Sequence, residues 1–387
     1  MWTLLPLLGI PLIIMVVAKV LRPKAFTIKE FFALEAIMVV LIVAGFFAAR
    51  WGAIQDTEKW NGRITAKDHG SMKCCHCRTE CDTCTRQVTD SDGNSRTETY
   101  SCNCREVCDH PRDYYWDVSV STGDTITIRS CEPRKRNVPQ AWTDAYVGEP
   151  ASVEHLYTNY LLADPDSVFR QSAAVDLPAA SVPSYPGVHG FYKANQAINL
   201  GTKMPANEWN MGLRELNADL GAGKQVNIIV IASNESDPRY ADVVERDWLY
   251  GKKNDLVFVL GVEGDADTIA WARVVTISRV ESLKVTARDE MPGMKLTDVE
   301  GTQGYIRELV YNEFERTPMA EFAYLASAAK PKPWMLWVLY LTAILGAVAG
   351  SIIMVIYDPF GDERGFRSLG RSIRLPKFRL RGRGLYR

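Results

Sequence analysis

Three long apolar runs divide the chain. Residues 334 to 357, WMLWVLYLTAILGAVAGSIIMVIY, contain no charged side chain, and at ~1.5 Å per helical residue the run exceeds the ~30 Å hydrocarbon layer of a bilayer. Trp334, Trp337 and Tyr340 at its start and Tyr357 at its end stand where amphipathic rings meet the lipid–water boundaries. Residues 2 to 18 are also uncharged, although Pro6 and Pro11 interrupt them, and residues 31 to 49 form a further run broken only by Glu35. A cleavable signal would carry its positive charge ahead of the apolar run and a small-residue cleavage site behind it. Here Lys19, Arg22 and Lys24 follow instead, so the first run reads as a retained span, with an interfacial helix kinked at the prolines as the alternative.

Between the second and third runs the period changes to two. YYWDVSVS from Tyr114, a turn at Gly123-Asp124 and TITIRS read as paired strands of a small β-domain over about 60–140. Trp116 and Trp142 fit there as buried anchors. Residues 150 to 170 read as helical, with Val153, Leu156, Tyr157, Tyr160 and Leu161 at helical spacing, and Pro178 to Pro186 marks a connection.

After residue 200 helices and strands alternate. Trp209, Leu213, Leu216 and Leu220 mark one helix face, VNIIVIA (226–232) is a strand, and a helix follows from Arg239 to Trp248. The strands DLVFVLGV (255–262) and IAWARVVTI (269–277) come next, then a helix from about Gln303 to Arg316 with Ile306, Leu309, Val310 and Phe314 on one side. A continuous apolar strand such as IIVIA is covered on both faces, which predicts a layered α/β fold.

The expected class is an α+β membrane protein with three transmembrane helices, a disulfide-rich antiparallel β module and an α/β sandwich domain. Its expected divisions are a first span at 1–20, a cytoplasmic loop at 21–30, a second span at 31–53 and a cysteine-rich β module at 54–145. A helical connector at 146–199, the α/β domain at 200–329, a third span at 333–357 and a basic tail at 358–387 complete them.

Charge orients this arrangement. Residues 358–387 hold nine basic groups against three acids, and Lys19 to Glu30 carries a net +3; the overall charge of −1 then leaves about −10 for the remainder. Basic segments stay cytoplasmic, so the tail and the 21–30 loop are placed inside, and the acidic soluble region outside a bacterial inner membrane. Glu35, one turn inside the second span, is expected to snorkel or pair with Lys29 or Arg22. Gly346 and Gly350 form a G-x-x-x-G on the third span, and Ala44, Gly45 and Ala48 lie on the second, which predicts close helix packing within one chain or between copies.

All nine cysteines fall between 74 and 131. Asp92-Gly93 is a hairpin signal flanked by Val88, Thr89, Thr97, Thr99 and Tyr100. Folding about that turn brings Cys84 to Cys102, Cys81 to Cys104 and Cys77 to Cys108, with a bulge between the first two rungs. Three nested disulfides would staple a ribbon too polar to bury a core. The alternative is zinc: Cys74-x2-Cys77 and Cys81-x2-Cys84 have knuckle spacing, and Cys102, Cys104 and Cys108 with His76 or His110 would complete two sites. Spacing does not separate the two readings. The compartment does, since thiols outside the inner membrane are oxidised, so disulfides and no cofactor are expected. Cys74, Cys75 and Cys131 are left over from the pairing.

The stretch Asp247-Trp248-Leu249-Tyr250-Gly251-Lys252-Lys253-Asn254-Asp255, followed by LVFVLGV, resembles the Trp-x-x-Gly-Lys-Lys and Asn-x-hydrophobic-strand signature of the TPM domain family. These are small α/β domains tethered to membranes on the lumenal or periplasmic side, and the similarity covers about 200–325. The resemblance implies a phosphatase, as reported for some members, or an assembly or repair factor, as for others, with metal implied for some. Two features depart from the family. Its acidic opening motif is not evident around 170–200, and the Gly that ends the strand after 270 is replaced by TISRVESLKV, so catalysis is the less expected of the two. Asp237, Asp242, Asp247 and Asp255, near strand ends where an α/β crevice would sit, are the metal or phosphate candidates.

No HExxH, GxSxG or phosphate-cradling Gly loop occurs, and His69, His155 and His189 lie scattered. Arg364, Arg367, Arg371, Arg374 and Lys377, interleaved with Phe366, Leu369 and Ile373, suit a short amphipathic helix on an anionic leaflet. Membrane lipid is therefore the expected partner of the tail, a protein the second choice and nucleic acid the third. The function expected is that of a membrane-anchored scaffold, homo-oligomeric or bound to other extracytoplasmic proteins. A membrane-bound phosphatase or metal-dependent hydrolase at the acidic strand ends is the alternative.

Overall fold

The structure is a computed structural model, which describes residues 3–23, 25–89, 95–130, 138–163, 182–248, 251–263 and 267–357. It falls into two compact units, one holding the apolar helices and the other the sheets.

The first unit contains α1 (Leu4–Leu21), α2 (Ile28–Ala53) and, far along the chain, α8 (Pro333–Tyr357). All three are long and apolar enough to cross a membrane. The first ends at Leu21, one residue past the expected span of 1–20, and the Lys19 ammonium satisfies carbonyls beyond it, donating to Pro23 O at 3.0 Å and to Phe26 O. Helix α2 begins earlier than the apolar run does. Thr27 and Glu30 form a capping box there, Thr27 Oγ1 accepting from Glu30 N–H and Glu30 Oε2 from Thr27 N–H at 2.6 Å.

Leu7, Met15, Leu34, Met38, Ile42, Phe46, Ala343 and Ala347 form the helical core. The small-residue pair lies within it. A Cβ on Gly346 would stand 3.2 Å from Met38, and one on Gly350 would stand 2.6 Å from Leu34, so this seam joins α8 to α2 of the same chain. Arg50 in the last turn of α2 donates to Ala329 O at 2.8 Å and Ser327 O at 3.0 Å, holding the residues that lead into α8. The expected pairing of Glu35 with Lys29 or Arg22 is absent: its buried Oε2 has no hydrogen-bond partner among the described residues.

The second unit opens with β1 (Gln55–Lys73), followed by the ribbon strands β2 (Cys77–Thr89) and β3 (Ser95–Cys108). Then come β4 (Arg112–Val120), β5 (Thr125–Ser130), the one-turn helix α3 (Gln140–Asp144) and β6 (Pro150–Thr158). The order β5-β4-β1-β6 makes one sheet, β1 and β4 running antiparallel, over a small core of Ile64, Val118, Val120, Ala145, Ala151 and Tyr192. Trp116 is buried as expected, whereas Trp142 is only half-buried and donates its indole N–H to Asp117 O at 3.0 Å.

The helix expected over 150–170 is not formed; residues 150–158 are the edge strand β6. Val153, Leu156 and Tyr157 fit a helical stripe, but the sheet reads the same residues with period two. Ala151, Val153 and Tyr157 turn inward, while Glu154 and Leu156 are exposed, Leu156 at 78%. A free edge on β1 offers backbone hydrogen bonds that local spacing does not reveal. The helical connector at 146–199 is corrected accordingly, since its described part holds β6, a turn at Tyr160–Leu162 and the short pair β7 (Val188–His189) and β8 (Lys193–Ala194).

The α/β part consists of β9 (Ala197–Leu200), α4 (Ala206–Lys224), β10 (Asn227–Ser233), α5 (Tyr240–Asp247), β11 (Asp255–Val262), β12 (Ile269–Val275), α6 (Glu281–Glu290) and α7 (Val299–Glu313). Strand order is β12-β11-β10-β9, with β9, β10 and β11 parallel and β12 antiparallel at the edge. Every residue of β10 and β11 is buried. Ile229, Ile231, Val257 and Val259 pack against Tyr240 and Val244 of α5, and Ile228, Val230, Phe258 and Leu260 against α4, α6 and α7. The result is three layers, as continuous apolar strands require. Helix α6, which buries Leu283 and Ala287, has no counterpart among the predicted elements.

Candidate functional site

The four acids proposed for a metal or phosphate site do not converge. Asp237 pairs with Arg239 of the next turn, Asp242 with Arg273 of β12 at 3.3 Å, and Asp247 with its neighbour Arg246 at 3.0 Å. Asp247 lines a 410 Å3 depression with Tyr185, Trp248 and Lys252, and Asp242 a separate one of 290 Å3 with Glu245, Arg273 and Arg288. Asp255 lies wholly inside. A metal needs several oxygens around one point, and here each acid meets a different cation or none.

What Asp255 does instead follows from the loop before it. Gly251 has φ 75°, and a Cβ there would stand 2.9 Å from Asp255 Oδ2, so the turn requires glycine. The turn aims its backbone N–H groups inward: Lys252 N–H donates to Asp255 Oδ2 at 2.7 Å, Asn227 Nδ2 to Oδ1 at 2.7 Å and Tyr185 Oη to Oδ2 at 2.9 Å. The rest of the motif grips β1. Lys252 pairs with Asp56, Lys253 with Glu58 at 2.8 Å, and Asn254 Nδ2 donates to Lys59 O at 2.6 Å.

Behind this row lies a buried amide network in which Asn61 Nδ2 donates to Asn227 Oδ1, Gln196 Nε2 donates to Asn227 Oδ1, and Ser152 Oγ donates to Asn61 Oδ1 at 2.7 Å. Gly221 of α4 lets the Asn61 backbone approach so closely that any Cβ would overlap it. The Gly-Lys-Lys-Asn-Asp stretch is thus a clamp that docks the β sheet on the α/β domain.

Lys59 and Tyr185 complete the clamp, and nothing in their local sequence marked them. The Lys59 ammonium, on a side chain with 2% of its residue exposed, sits 4.0 Å from the centroid of the Tyr185 ring. Burial depresses it to about 8, against the pull of Asp255, Glu154 and Asp56, with Lys252 adding to the depression. Burial likewise raises the Asp255 carboxyl and, more strongly, the phenols of Tyr157 and Tyr185.

A pH dependence follows. Between the depressed Lys59 value and the ~10.4 of a free lysine, the unfolded chain holds the extra proton, so stability rises with pH, by roughly 3 kcal/mol across the window. Above pH ~10 the unfolded chain loses tyrosine protons that Tyr157 and Tyr185 keep when folded, and stability falls again. The urea midpoint of the detergent-solubilised protein is expected to climb from pH 7 to 9.5, and Lys59→Met to flatten that limb. Equal slopes in the two proteins would refute the assignment.

The cysteines fold as the hairpin register requires. Disulfides join Cys77 to Cys108, Cys81 to Cys104 and Cys84 to Cys102. The bulge lies between the Cys81 and Cys84 rungs, as expected. Glu80 faces Arg105 while Asp82 faces Cys102, so the extra residue sits on β3, where Asn103 takes φ 48°. Asn tolerates that left-handed conformation better than most residues. Cys84 therefore faces Tyr100 and reaches Cys102 diagonally, with Cα atoms 5.8 Å apart against 4.0 Å in the other two bridges. The two-knuckle zinc alternative loses its ligands to these bridges. Cys75 is also disulfide-bonded, and among the described residues Cys74 alone remains a free thiol.

At the base of the ribbon, where β1 passes into β2 and β3 into β4, Cys74, His110 and Asp113 meet. Cys74 Sγ lies 3.4 Å from His110 Nε2, which also contacts Asp113 Oδ1, while Asp113 Oδ2 accepts from Cys75 N–H at 2.5 Å. Burial raises the Asp113 carboxyl, but these hydrogen bonds outweigh it and hold the group below its usual range. The His110-x2-Asp113 spacing was legible; only the fold places Cys74 beside it. The turn at Asp92-Gly93, Cys131 and the tail residues Arg364, Arg367, Arg371, Arg374 and Lys377 lie outside the described residues. Comparison with family models, curated proteins and solved structures finds no match to this chain.

Proposed function

We propose that this chain is a membrane-anchored assembly protein that presents a stapled β ribbon, carried on a TPM-like α/β domain, to other copies of itself or to membrane-associated partners. The observation that carries this reading is the ribbon: two strands of 13 and 14 residues with no buried position on either. A surface held so rigidly without covering a core is suited to contact another molecule. Disulfides favour an oxidising space for the soluble region, and the basic excess in 21–30 and 358–387 favours the cytoplasm for those segments, which together suit a bacterial inner membrane. The TPM-like assignment rests on the Asp247–Asp255 motif. Its lysines and Asn254 here serve docking, which favours an assembly role over phosphatase or metal-dependent hydrolase activity.

A photo-crosslinking residue at Thr85 or Tyr100 of the ribbon, both exposed, tests this in the full-length protein expressed in membranes. Discrete products at multiples of the chain mass or with one membrane protein are expected, and fewer from the same residue placed at Glu300 on α7. Phosphate-ester turnover by the purified protein that disappears in Asp247→Asn, with no ribbon crosslinks, would instead establish the hydrolase.

A further inference from the structure

The joint between sheet and ribbon gathers three donors that the scaffold reading does not use. Cys74 Sγ, His110 Nε2 and an Asp113 carboxylate oxygen all lie within 4.8 Å of one another. Cys74 is 6% exposed, Asp113 2%, and the His110 side chain 10%. We propose that these three residues bind a zinc ion, which fixes the joint from which the ribbon springs.

Their arrangement separates a metal site from a nucleophilic triad. In a triad the thiol and the carboxylate address opposite ring nitrogens of the histidine, one to accept the proton and the other to orient the ring. Here both approach Nε2, and the buried Nδ1 has no hydrogen-bond partner among the described residues. Three donors aimed at one point suit a cation. Zinc holds sulfur at about 2.3 Å and imidazole nitrogen at about 2.0 Å, which places such atoms ~3.5 Å apart around a tetrahedral centre. The Cys74–His110 separation of 3.4 Å is close to that value.

The surroundings prepare the donors for this role. Cys74 Sγ accepts from His76 N–H at 3.3 Å, and Asp113 is oriented by the Cys75 N–H, so both donors are held in place. One thiolate, one imidazole and one carboxylate form a borderline donor set typical of zinc, with the fourth position left for water or for exposed His76, whose ring centroid is 6.0 Å from that of His110. The Cys74 sulfur also lies within 4.8 Å of both sulfurs of the Cys77–Cys108 bridge. A bare thiolate there would exchange with that bridge; one held by zinc is capped. Unlike the two-knuckle alternative, this site coexists with all three ribbon disulfides.

Cobalt(II) substitution tests the site in the full-length, detergent-solubilised protein, purified without reductant and stripped with a chelator. The expected spectrum is that of tetrahedral cobalt with a thiolate charge-transfer band, saturating at one ion per chain and displaced by zinc. Cys74→Ser and His110→Ala should abolish the band, and Asp113→Asn should weaken binding by more than about tenfold. Peptide mapping without reduction verifies the three ribbon disulfides in the same samples. Wild-type protein with those bridges intact and no thiolate band would overturn the proposal, whatever the variants do. So would a band that appears only after reduction, because the ligands would then be the bridging cysteines.

Discussion

Reduced of its disulfides, the protein is expected to lose the ribbon and keep the α/β domain. The innermost bridge spans 18 residues, and the bridges at separations of 23 and 31 nest outside it. Chain-entropy arguments assign about 3 kcal/mol to the first ring and about 2 to each ring nested on it. Little else holds the strands. The ion pairs Arg86–Glu98, Arg96–Glu98 and Arg78–Glu80 are exposed, so each contributes at most about 1 kcal/mol. A two-stranded hairpin without a core is marginal in water. Trypsin should therefore cut at Arg86 and Arg96 only after reduction, while the core around Trp209, Ile229 and Phe258 stays protected. Reduced protein that still resisted cleavage there would show that the ribbon owes its order to something other than its staples.

Asp255→Ala is expected to cost about 4 kcal/mol and to loosen the sheet from the α/β domain. The substitution strands the Asn227 amide, the Lys252 N–H and the Tyr185 hydroxyl inside the protein, at about 1–3 kcal/mol for each unsatisfied group before relaxation. It also removes the negative charge that opposes the desolvation of Lys59. Asp247→Asn is the control. That side chain is exposed and, among the described residues, paired with Arg246 alone, so the change should stay within about 0.5 kcal/mol. Chemical denaturation of the two variants, followed by tryptophan fluorescence, gives the comparison. Near-equal midpoints would mean that Asp255 is not the centre of the clamp.

Much of this architecture is legible in the sequence. The three apolar runs, the cysteine spacing about Asp92-Gly93 and the unbroken strands IIVIA and LVFVLGV are local signals, and each corresponds to an observed helix, bridge set or buried strand. Residues 150–158 were misread because their spacing satisfies both periods. The bulge falls between the expected rungs, but which strand carries it is set by the backbone register, which turns Cys84 toward Tyr100 rather than Cys102.

The helices able to span a membrane, the pairing of six cysteines and the layering of the α/β domain are written in local pattern, because periodicity and solvent preference act over a few residues. What the charged residues do depends on the folded chain. In the sequence Asp255 is a metal or phosphate candidate beside Lys252 and Lys253, until β1, nearly two hundred residues earlier in the chain, presents Asp56, Glu58 and Lys59 to them. Cys74 likewise meets His110 and Asp113 only because the ribbon returns the chain to its own base. Ionisable groups take their roles from the charges and burial around them, and these are set by contacts between residues distant in sequence.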